Sequence, residues 1–268
     1  MGSYIIFMYC SGGIFCGSIY KNVGEELFCL KNIDDGAERC MELKGRLKLV
    51  ADKVPVCDRI CDIGTDHAYV PIYLIQNKKC KSAIAADVGK GPLAAAGKSI
   101  NSYGLQESIE TRLGDGLEPI KEGECQGIVI AGMGGVLMGE ILQRDLDKAV
   151  RADFLVLQAM NSHEVLRGWL YEKGFQILDE ELVSEGDKVY DVMVAKWTGQ
   201  QEQPEPIYRY IGKKLIEKKD PLLERYAAKI IRRLDKVIHG IKQENGPEKL
   251  LGAHKRLRDQ ILKLKEGL

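Results

Sequence analysis

Short apolar segments alternate with amphipathic ones through the middle of this 268-residue chain, and this alternation constrains the fold more than any other feature. Segments rich in Val, Ile, Leu and Ala predict buried strands at 59–63, 82–87, 109–113, 127–131 and 154–158. Helical patterns lie between them at 68–78, 92–103, 136–144 and 163–173. The alternation predicts an α/β fold with a mainly parallel sheet covered by helices on both faces.

The residues after this region predict a different edge for the sheet. Residues 175–183 and 189–197 are strand-like, and Glu185-Gly186-Asp187 between them is a turn signal. We therefore expect an antiparallel hairpin at the edge of the parallel sheet. The polar, proline-containing stretch 199–206 that follows predicts a linker.

Beyond the linker, mostly apolar residues recur at intervals of three and four. This spacing predicts two helices that pack against each other along a line of such residues, here called the seam. The two predicted seams are Ile216, Asp220, Leu223, Ala227, Ile230, Leu234, Val237 and Ile241, and then Leu250, His254, Leu257, Ile261, Leu264 and Leu268. Asn245-Gly246-Pro247 supplies a turn between them. The sequence thus predicts a C-terminal antiparallel helical hairpin, a coiled coil, with His254 as a packing residue.

The charge of the chain is strongly polarised although its total is zero. Residues 207–268 contain 17 Lys and Arg against 8 Asp and Glu, a net charge of +9, so the remainder carries −9. A basic appendage on an acidic body is typical of a protein that meets a polyanion, although a solvated helix surface has the same pattern. We interpret the hairpin as a nucleic-acid-binding element.

The first forty residues differ in composition from the rest. They contain no Lys or Arg before Lys21, so they lack the positive region of a secretory signal. An amphipathic pattern begins at Met41. We interpret 1–40 as an extension that is disordered or precedes the natural start, 41–200 as the α/β domain, and 201–268 as the basic helical hairpin.

The eight cysteines form no Cys-x-x-Cys pair, which argues against a zinc site or a disulfide framework. We therefore expect a protein without metal in a reducing cytoplasm. No apolar run reaches the length that crosses a membrane. The sequence leaves the oligomeric state open, and we favour a monomer.

Residues at the carboxyl ends of the predicted strands indicate the ligand, because open α/β sheets bind ligands there. The first strand leads into Asp62-Ile63-Gly64-Thr65-Asp66-His67-Ala68-Tyr69, where a dinucleotide fingerprint would need glycine at 64, 66 and 69. Asp66 beside a pyrophosphate would cost about 4 kcal/mol per like-charge pair at about 4 Å. S-adenosylmethionine has no phosphate and carries cationic sulfonium and amino groups, so the sequence predicts it rather than NAD.

Three further motifs follow in chain order. Asp87 ends the second strand, where it can accept from ribose hydroxyls or cap the next helix. Gly114-Asp115-Gly116 can hold an adenine amino group or form a plain turn. Gly132-Met133-Gly134-Gly135 lets main chain pass close to a methyl donor and an inserted base, or begins a helix. Each motif is weak alone, but the four in this order favour a Rossmann-like class I methyltransferase.

DIGTDHAYVP, RLGDGLEPI and IAGMGG together resemble the bacterial family of tRNA adenine-N1 methyltransferases that modify adenine 22. The resemblance extends from about Met41 to the C-terminus and implies S-adenosylmethionine as cofactor and tRNA as partner. It implies cofactor binding by Asp62, Gly64, Asp87, Asp115, Gly116, Gly132 and Gly134. It also implies that Asp66, His67, Met133 and Gln158 border the target base. One departure is Ala159, which stands where the family usually has proline.

The chemistry that the resemblance implies needs little acid–base catalysis. Adenine N1 carries an in-plane lone pair, so the protein must mainly extrude the base and align it with the methyl group. An acidic site suits the cationic product, so we expect Asp66 to have an electrostatic and orienting role. We expect His67 to contact the base or a phosphate, or to bond local backbone. The candidates for phosphate contacts are Lys213, Lys214, Lys218, Arg225, Arg232 and Arg233.

Three other functions compete with this hypothesis. A methyltransferase of the same fold could act on a protein or a small molecule, but the +9 hairpin argues against it. A non-catalytic RNA-binding module would not need Asp62, Asp87 and Asp115 together. A dinucleotide oxidoreductase is disfavoured by Asp66.

Overall fold

The structure, a computed structural model, describes residues 5–7, 17–19, 30–31, 40–244 and 246–268. Three short strands, β1 (Ile5–Phe7), β2 (Gly17–Ile19) and β3 (Leu30–Lys31), pair in an antiparallel sheet. Most of the extension predicted at 1–40 lies outside the described residues, so its interpretation stays an expectation.

A seven-stranded sheet forms the centre of the molecule. Its strands in chain order are β4 (Arg59–Ile63), β5 (Ser82–Asp87), β6 (Ile109–Leu113), β7 (Gly127–Met133), β8 (Phe154–Ala159), β9 (Phe175–Glu185) and β10 (Lys188–Trp197). The spatial order is β6-β5-β4-β7-β8-β10-β9. The first five are parallel, and β10 is antiparallel to both β8 and β9. The predicted parallel sheet with an antiparallel hairpin edge is confirmed.

Helices cover the sheet and then continue beyond it. In chain order they are α1 (Gly45–Lys53), α2 (Tyr69–Gln76), α3 (Lys90–Ser102), α4 (Gly135–Arg144), α5 (Leu146–Arg151), α6 (His163–Glu172), α7 (Pro206–Tyr210), α8 (Lys213–Lys218), α9 (Leu223–Gln243) and α10 (Glu248–Glu266). Two apolar cores lie on opposite faces of the central strands, so alternate residues of one strand enter different cores: Cys61 belongs to one and Ile60 to the other. Their burial explains why these strands have continuous apolar sequences.

Two of the parallel strands extend further than the sequence predicts. β7 continues through Gly132 to Met133, and β8 continues to Ala159, which pairs with Met133 across a register shift after Ala131. The shift is possible because Gly132 adopts φ of +81°, a region that glycine enters without steric cost. Alanine at 159 also keeps the N–H that a proline would lack. Gly132 and Met133, which we expected in the loop after β7, therefore belong to the strand itself.

The segment between the predicted linker and α9 differs from the prediction. The predicted seam beginning at Ile216 is broken, because Lys219 is left-handed at φ of 53° and Pro221 follows. Asp220, which we assigned to the seam, instead accepts from Leu222 N at 2.8 Å and from Leu182 N at 3.0 Å. It thereby fixes the start of α9 to β9, and two short helices precede the hairpin.

α9 and α10 form the predicted hairpin, and its apolar core is concentrated near the sheet. Leu234, Leu257 and Ile261 are buried together with residues of β9 and β10. The seam then moves to Ile238, so Val237 is exposed, as are Leu250 and Leu268, and these three seam assignments were wrong. A straight helix drifts relative to a seven-residue repeat, which accounts for the change. His254 is partly buried and its Nδ1 lies 2.9 Å from Leu250 O.

A buried charge network joins the sheet to these C-terminal helices. The guanidinium of Arg167 lies 2.7 Å from both Glu180 Oε1 and Asp191 Oδ2, and all three side chains are fully buried. Its NH1 also donates to Arg209 O, at the end of α7. Burial opposes the charge of Asp191, but His163 and Arg167 outweigh it and lower its pKa to about 2. The network is therefore a charge-compensated joint between α6, the edge hairpin of the sheet and α7.

Candidate active site

The end of β4 brings a buried carboxylate to the carboxyl edge of the sheet. Asp62 is 7% exposed, and the Thr65 hydroxyl donates to it. Burial raises the pKa of Asp62 to about 6, and the neighbouring charge of Asp87 adds to the shift. Gly64 N and Thr65 N both donate to Ala86 O, which ties this loop to the end of β5. The site thus contains an acid that would be stabilised by a cation.

The loops after β4 and β7 meet at this edge. A β-carbon on Gly64 would collide with Met133 Cε, and Gly64 has φ of +78°, so both space and conformation require glycine. Gly64 and Met133, two predicted site residues, are therefore in contact. Gly134 approaches Asn161, whose Oδ1 would lie 3.1 Å from an added β-carbon. Glycine at 64 and 134 thus lets these segments pack closely at the edge.

The other two acids predicted to bind the cofactor, Asp87 and Asp115, have partners in the protein. Asp87 Oδ1 accepts from Gly89 N at 2.6 Å, which shapes the loop entering α3. Asp115 is paired with Arg144, whose NH1 lies 2.7 Å from Oδ2 and whose NH2 donates to Asp115 O. The hydrogen bond from Arg144 lowers the pKa of Asp115. Arg144 therefore holds the Gly114-Asp115-Gly116 turn in place.

Gln158 braces the loop after β7 from beneath. The side chain is fully buried. Its Oε1 accepts from Gly132 N at 3.1 Å and lies 3.3 Å from Arg46 NH1, while Nε2 donates to Ala159 O at 2.7 Å. We expected Gln158 to border the target base, and its contacts with the protein indicate that it positions the Gly132 loop and Arg46.

Asp66 and His67 lie on the outer side of the first loop. The Asp66 side chain is 73% exposed, and its Oδ2 lies 3.5 Å from His67 Nε2. The His67 ring stacks on Tyr69, with centroids 4.9 Å apart and planes within 9°. Ala68 between them is left-handed at φ of 56°, and its N donates to Thr65 Oγ1. Asp66 is therefore exposed to solvent and His67 is partly buried, at the same edge of the sheet as Asp62.

Most of the predicted phosphate-binding residues pair with acids on the protein. Lys213 and Lys214 lie near Glu217, Lys218 contacts Asp179, and Arg225 lies 3.9 Å from Asp187. Arg233 lies 2.8 Å from Glu164, and Arg232 is exposed. These pairs are at the surface, with the basic side chains between 32% and 55% exposed, so a polyanion could compete for them.

Among the residues that the structure describes, no group of three His, Cys, Asp or Glu side chains is arranged to hold a metal ion. None of the described helices combines the length and apolar character needed to cross a membrane. The five described cysteines, Cys40, Cys57, Cys61, Cys80 and Cys125, are free thiols.

The sequence prediction missed three residues at this edge. Thr65 bonds Asp62 and Ala68 N, and Arg144 holds Asp115; both lie close to the predicted motifs in sequence or space. Arg46 precedes every strand of the main sheet and reaches Gln158 from α1. A hydroxyl in the first loop was a usable signal for Thr65, whereas no local pattern distinguishes Arg46 from other basic residues of α1.

Comparisons with known proteins agree with this geometry. A family model described as a methyltransferase domain matches residues 43–193. The tRNA (adenine(22)-N(1))-methyltransferase of Bacillus subtilis (strain 168) is 42% identical over 157 residues, which cover 58% of this chain and 66% of that protein.

Solved structures cover more of the chain. The B. subtilis m1A22 tRNA methyltransferase TrmK superposes with a TM-score of 0.73 at 33% identity, covering 84% of this chain and 98% of that one. M. capricolum TrmK, in complex with the cofactor product S-adenosylhomocysteine, superposes with a TM-score of 0.71 at 30% identity, covering 84% and 98%. By its sheet order, its edge loops and these likenesses, the chain belongs to the bacterial family of tRNA (adenine-22-N1)-methyltransferases.

Proposed function

We propose that this chain uses S-adenosylmethionine to methylate N1 of adenine 22 in tRNA. The observation that carries the proposal is the buried carboxylate of Asp62, near the end of β4 in a fold shared with this methyltransferase family. A dinucleotide oxidoreductase would need different chemistry at that position, since the phosphates of its cofactor would be repelled by the acids at this edge.

The residues of the edge fit a cationic methyl donor. The pKa of Asp62 is raised to about 6 by burial and by Asp87, so a cation placed against it would be stabilised. Asp62 would hold the amino group of the donor, Asp87 the ribose hydroxyls and Asp115 the adenine amino group. When bound, S-adenosylmethionine supplies a sulfonium methyl group that a ring nitrogen can attack.

On the base side, the protein needs to orient rather than to deprotonate. Adenine N1 already carries the attacking lone pair, and the product is a cation. Asp66, exposed at the mouth, would be desolvated when RNA covers it, and its charge would then stabilise that product. His67, held parallel to Tyr69, offers a flat polar surface beside it.

On the RNA side, the helical hairpin supplies positive charge away from the pocket. Its outer part carries exposed cations at Lys236, Lys242, Lys249 and Lys255, and Arg232 extends this set toward the sheet. Phosphate contacts of this kind fix register on a nucleic acid without reading its sequence. Lys213, Lys214, Lys218, Arg225 and Arg233 would exchange their acidic partners for phosphates.

The experiment is a methylation assay with the full chain and two tRNA transcripts that differ only at position 22, adenine or guanine. We expect one methyl group per molecule on the adenine transcript, mapped to position 22 by mass spectrometry, and none on the guanine transcript. Methylation elsewhere would mean another substrate of the same fold. A protein that binds tRNA but not S-adenosylmethionine would be a non-catalytic module, and the proposal would fail.

A further inference from the structure

Arg46, in the first turn of α1, brings a guanidinium to Gln158 and Gly132, at the carboxyl edge of the sheet. Its NH1 lies 3.3 Å from Gln158 Oε1, and an added β-carbon on Gly132 would lie 3.4 Å from the same nitrogen. Its Cζ lies 5.8 Å from the centre of the Tyr190 ring. The charge is thus located between β10 and the loop after β7, next to the predicted base-bordering residues.

The backbone of Arg46 is fixed independently of its side chain. Its N–H donates to Glu185 Oε1 at 2.5 Å, and Gly45 before it adopts φ of +52°, close against the same glutamate. On the other side of α1, Leu49 and Val50 are buried against the sheet. α1 therefore fixes the backbone of Arg46 relative to the edge of the sheet. A residue that recognises a ligand needs such a fixed position.

The chemistry of the reaction restricts what this guanidinium can bind. It is charged at every working pH. Placed on the ring of an adenine that becomes cationic, it would oppose the reaction, since like charges repel. A flipped nucleotide, however, also brings its own phosphodiester to the mouth of the site. A guanidinium matches a phosphate with two parallel hydrogen bonds, which makes that group its favourable partner.

Basic residues continue from this point toward the hairpin. The turn whose Glu185 holds Arg46 N is also contacted by Arg225, which donates to Gly186 O at 2.8 Å. One helical turn further along α9, Lys229 donates to Val189 O at 3.0 Å. A nucleic-acid backbone that follows these cations would arrive at the pocket beside Arg46.

We propose that Arg46 binds the phosphate on the 5′ side of the target adenosine and so positions the extruded base. The inference rests on the proposed function, and it names a residue that the family motifs do not include. The competing role is purely structural: Arg46 would support Gln158 and the Gly132 loop without touching RNA.

The test is a cycle that changes both partners of the contact. Wild-type protein and Arg46→Met are assayed on full-length tRNA carrying either a normal phosphate or a neutral methylphosphonate 5′ of adenine 22. For the wild type we expect the methylphosphonate to raise KM for tRNA about tenfold with little change in kcat. For Arg46→Met we expect the same rise on normal tRNA and no further rise on the modified one. Arg46→Lys should recover part of the loss, because it keeps the charge.

Two measurements distinguish the structural role. Arg46→Met should bind S-adenosylmethionine as the wild type does, and the slope of log K for tRNA against log[salt] should fall by about one unit. Multiplying effects of the two changes, or a loss confined to kcat or to cofactor affinity, would overturn the phosphate contact. If the wild type fails to methylate normal tRNA, the proposed function itself fails, and that result is visible before any variant is assayed.

Discussion

The carboxyl edge of the sheet and the helical hairpin hold opposite charges in opposite ways. At the edge, Asp62 is 7% exposed, and the Thr65 hydroxyl that donates to it belongs to a loop bonded to β5. On the hairpin, cations such as Lys236 and Lys255 stand exposed on helix surfaces. The first arrangement costs free energy to maintain, while the second costs little.

The difference matches two distinct tasks. A methyl transfer depends on placing two atoms accurately, so its polar groups have to be held by buried structure. A polyanion is bound by many weak contacts that tolerate movement, so exposed charges suffice. The buried network around Arg167 joins the edge of the sheet to α7, which precedes the helical hairpin.

The largest effect is expected at the joint. Arg167→Met would leave Glu180 and Asp191 buried without their cation, and we expect a loss of about 3–5 kcal/mol in the free energy of unfolding. The pKa of Asp191 is lowered from 3.8 to about 2, so its contribution to stability is present above pH 3.8 and lost as the pH falls toward 2. Urea unfolding at pH 7 and at pH 3 measures both effects.

The matched control is Arg258→Met, which removes an exposed hairpin arginine 3.1 Å from Asp235. We expect it to cost less than about 1 kcal/mol. Equal losses in the free energy of unfolding would mean that the buried ion pairs of the joint stabilise the fold no more than an exposed pair does.

Asp62→Asn should separate stability from function. The pKa of Asp62 is raised from 3.8 to about 6, so the charged group disfavours the fold as the pH rises through that interval. The variant should therefore gain up to about 3 kcal/mol in the free energy of unfolding at pH 7, and the gain should vanish below pH 4. It should lose S-adenosylmethionine binding, which in the wild type should weaken as the pH falls below 6. Denaturant titration and calorimetry test the two halves.

Asp153→Asn provides the reference for that substitution, since its side chain is 61% exposed. No change in stability or cofactor affinity is expected there. A destabilised Asp62→Asn protein, or one that still binds the donor normally, would contradict the assigned role.

Asp66→Ala should impair turnover without disturbing the donor. Its carboxylate is 73% exposed in the free protein, and we expect its charge to act only once RNA covers the site. Removing it should lower kcat about 100-fold while the affinity for S-adenosylmethionine stays within about twofold. Single-turnover methylation of tRNA measures the chemical step.

Asp58→Ala removes a similarly exposed aspartate, 65% accessible, at the opposite end of β4. Its kcat should equal that of the wild type. Turnover of Asp66→Ala close to the Asp58→Ala value would remove Asp66 from the site.

The sheet could be predicted because its information is local. Buried parallel strands need continuous apolar sequences, and helices between them need amphipathic ones. The break before α9 could not be predicted. Asp220 occupies a seam position in the sequence, and its hydrogen bond with Leu182 N joins residues that are 38 positions apart. The same holds for the shift from Val237 to Ile238, because the packing partner rather than the repeat decides which residue is buried.

The candidate site divides in the same way. Asp62 and Gly64 could be predicted from their place after a buried strand, where ligands bind in this class of sheet. Arg46 could not, because its position depends on Glu185, 139 residues later in the chain. Gln158 was predicted at the site, but its bond to Gly132 N follows from strand register that the sequence does not specify.

The smallest effect is expected from the exposed side of the comparison. Lys236→Gln with Lys255→Gln removes two exposed hairpin cations, and we expect tRNA affinity to fall about three- to tenfold at moderate salt. The slope of log K against log[salt] should decrease by about one to two units, because a protein that makes fewer phosphate contacts releases fewer counterions when it binds. Binding of S-adenosylmethionine should be unchanged.

The control, Lys81→Gln with Lys121→Gln, makes the same change in net charge just before β5 and before β7, at the opposite edge of the sheet from Asp62. If the control lowers the slope equally, the RNA responds to the total charge of the protein and the hairpin has no particular role. If only the hairpin pair does so, exposed cations bind tRNA at defined phosphates, as buried acids bind the donor at a defined edge.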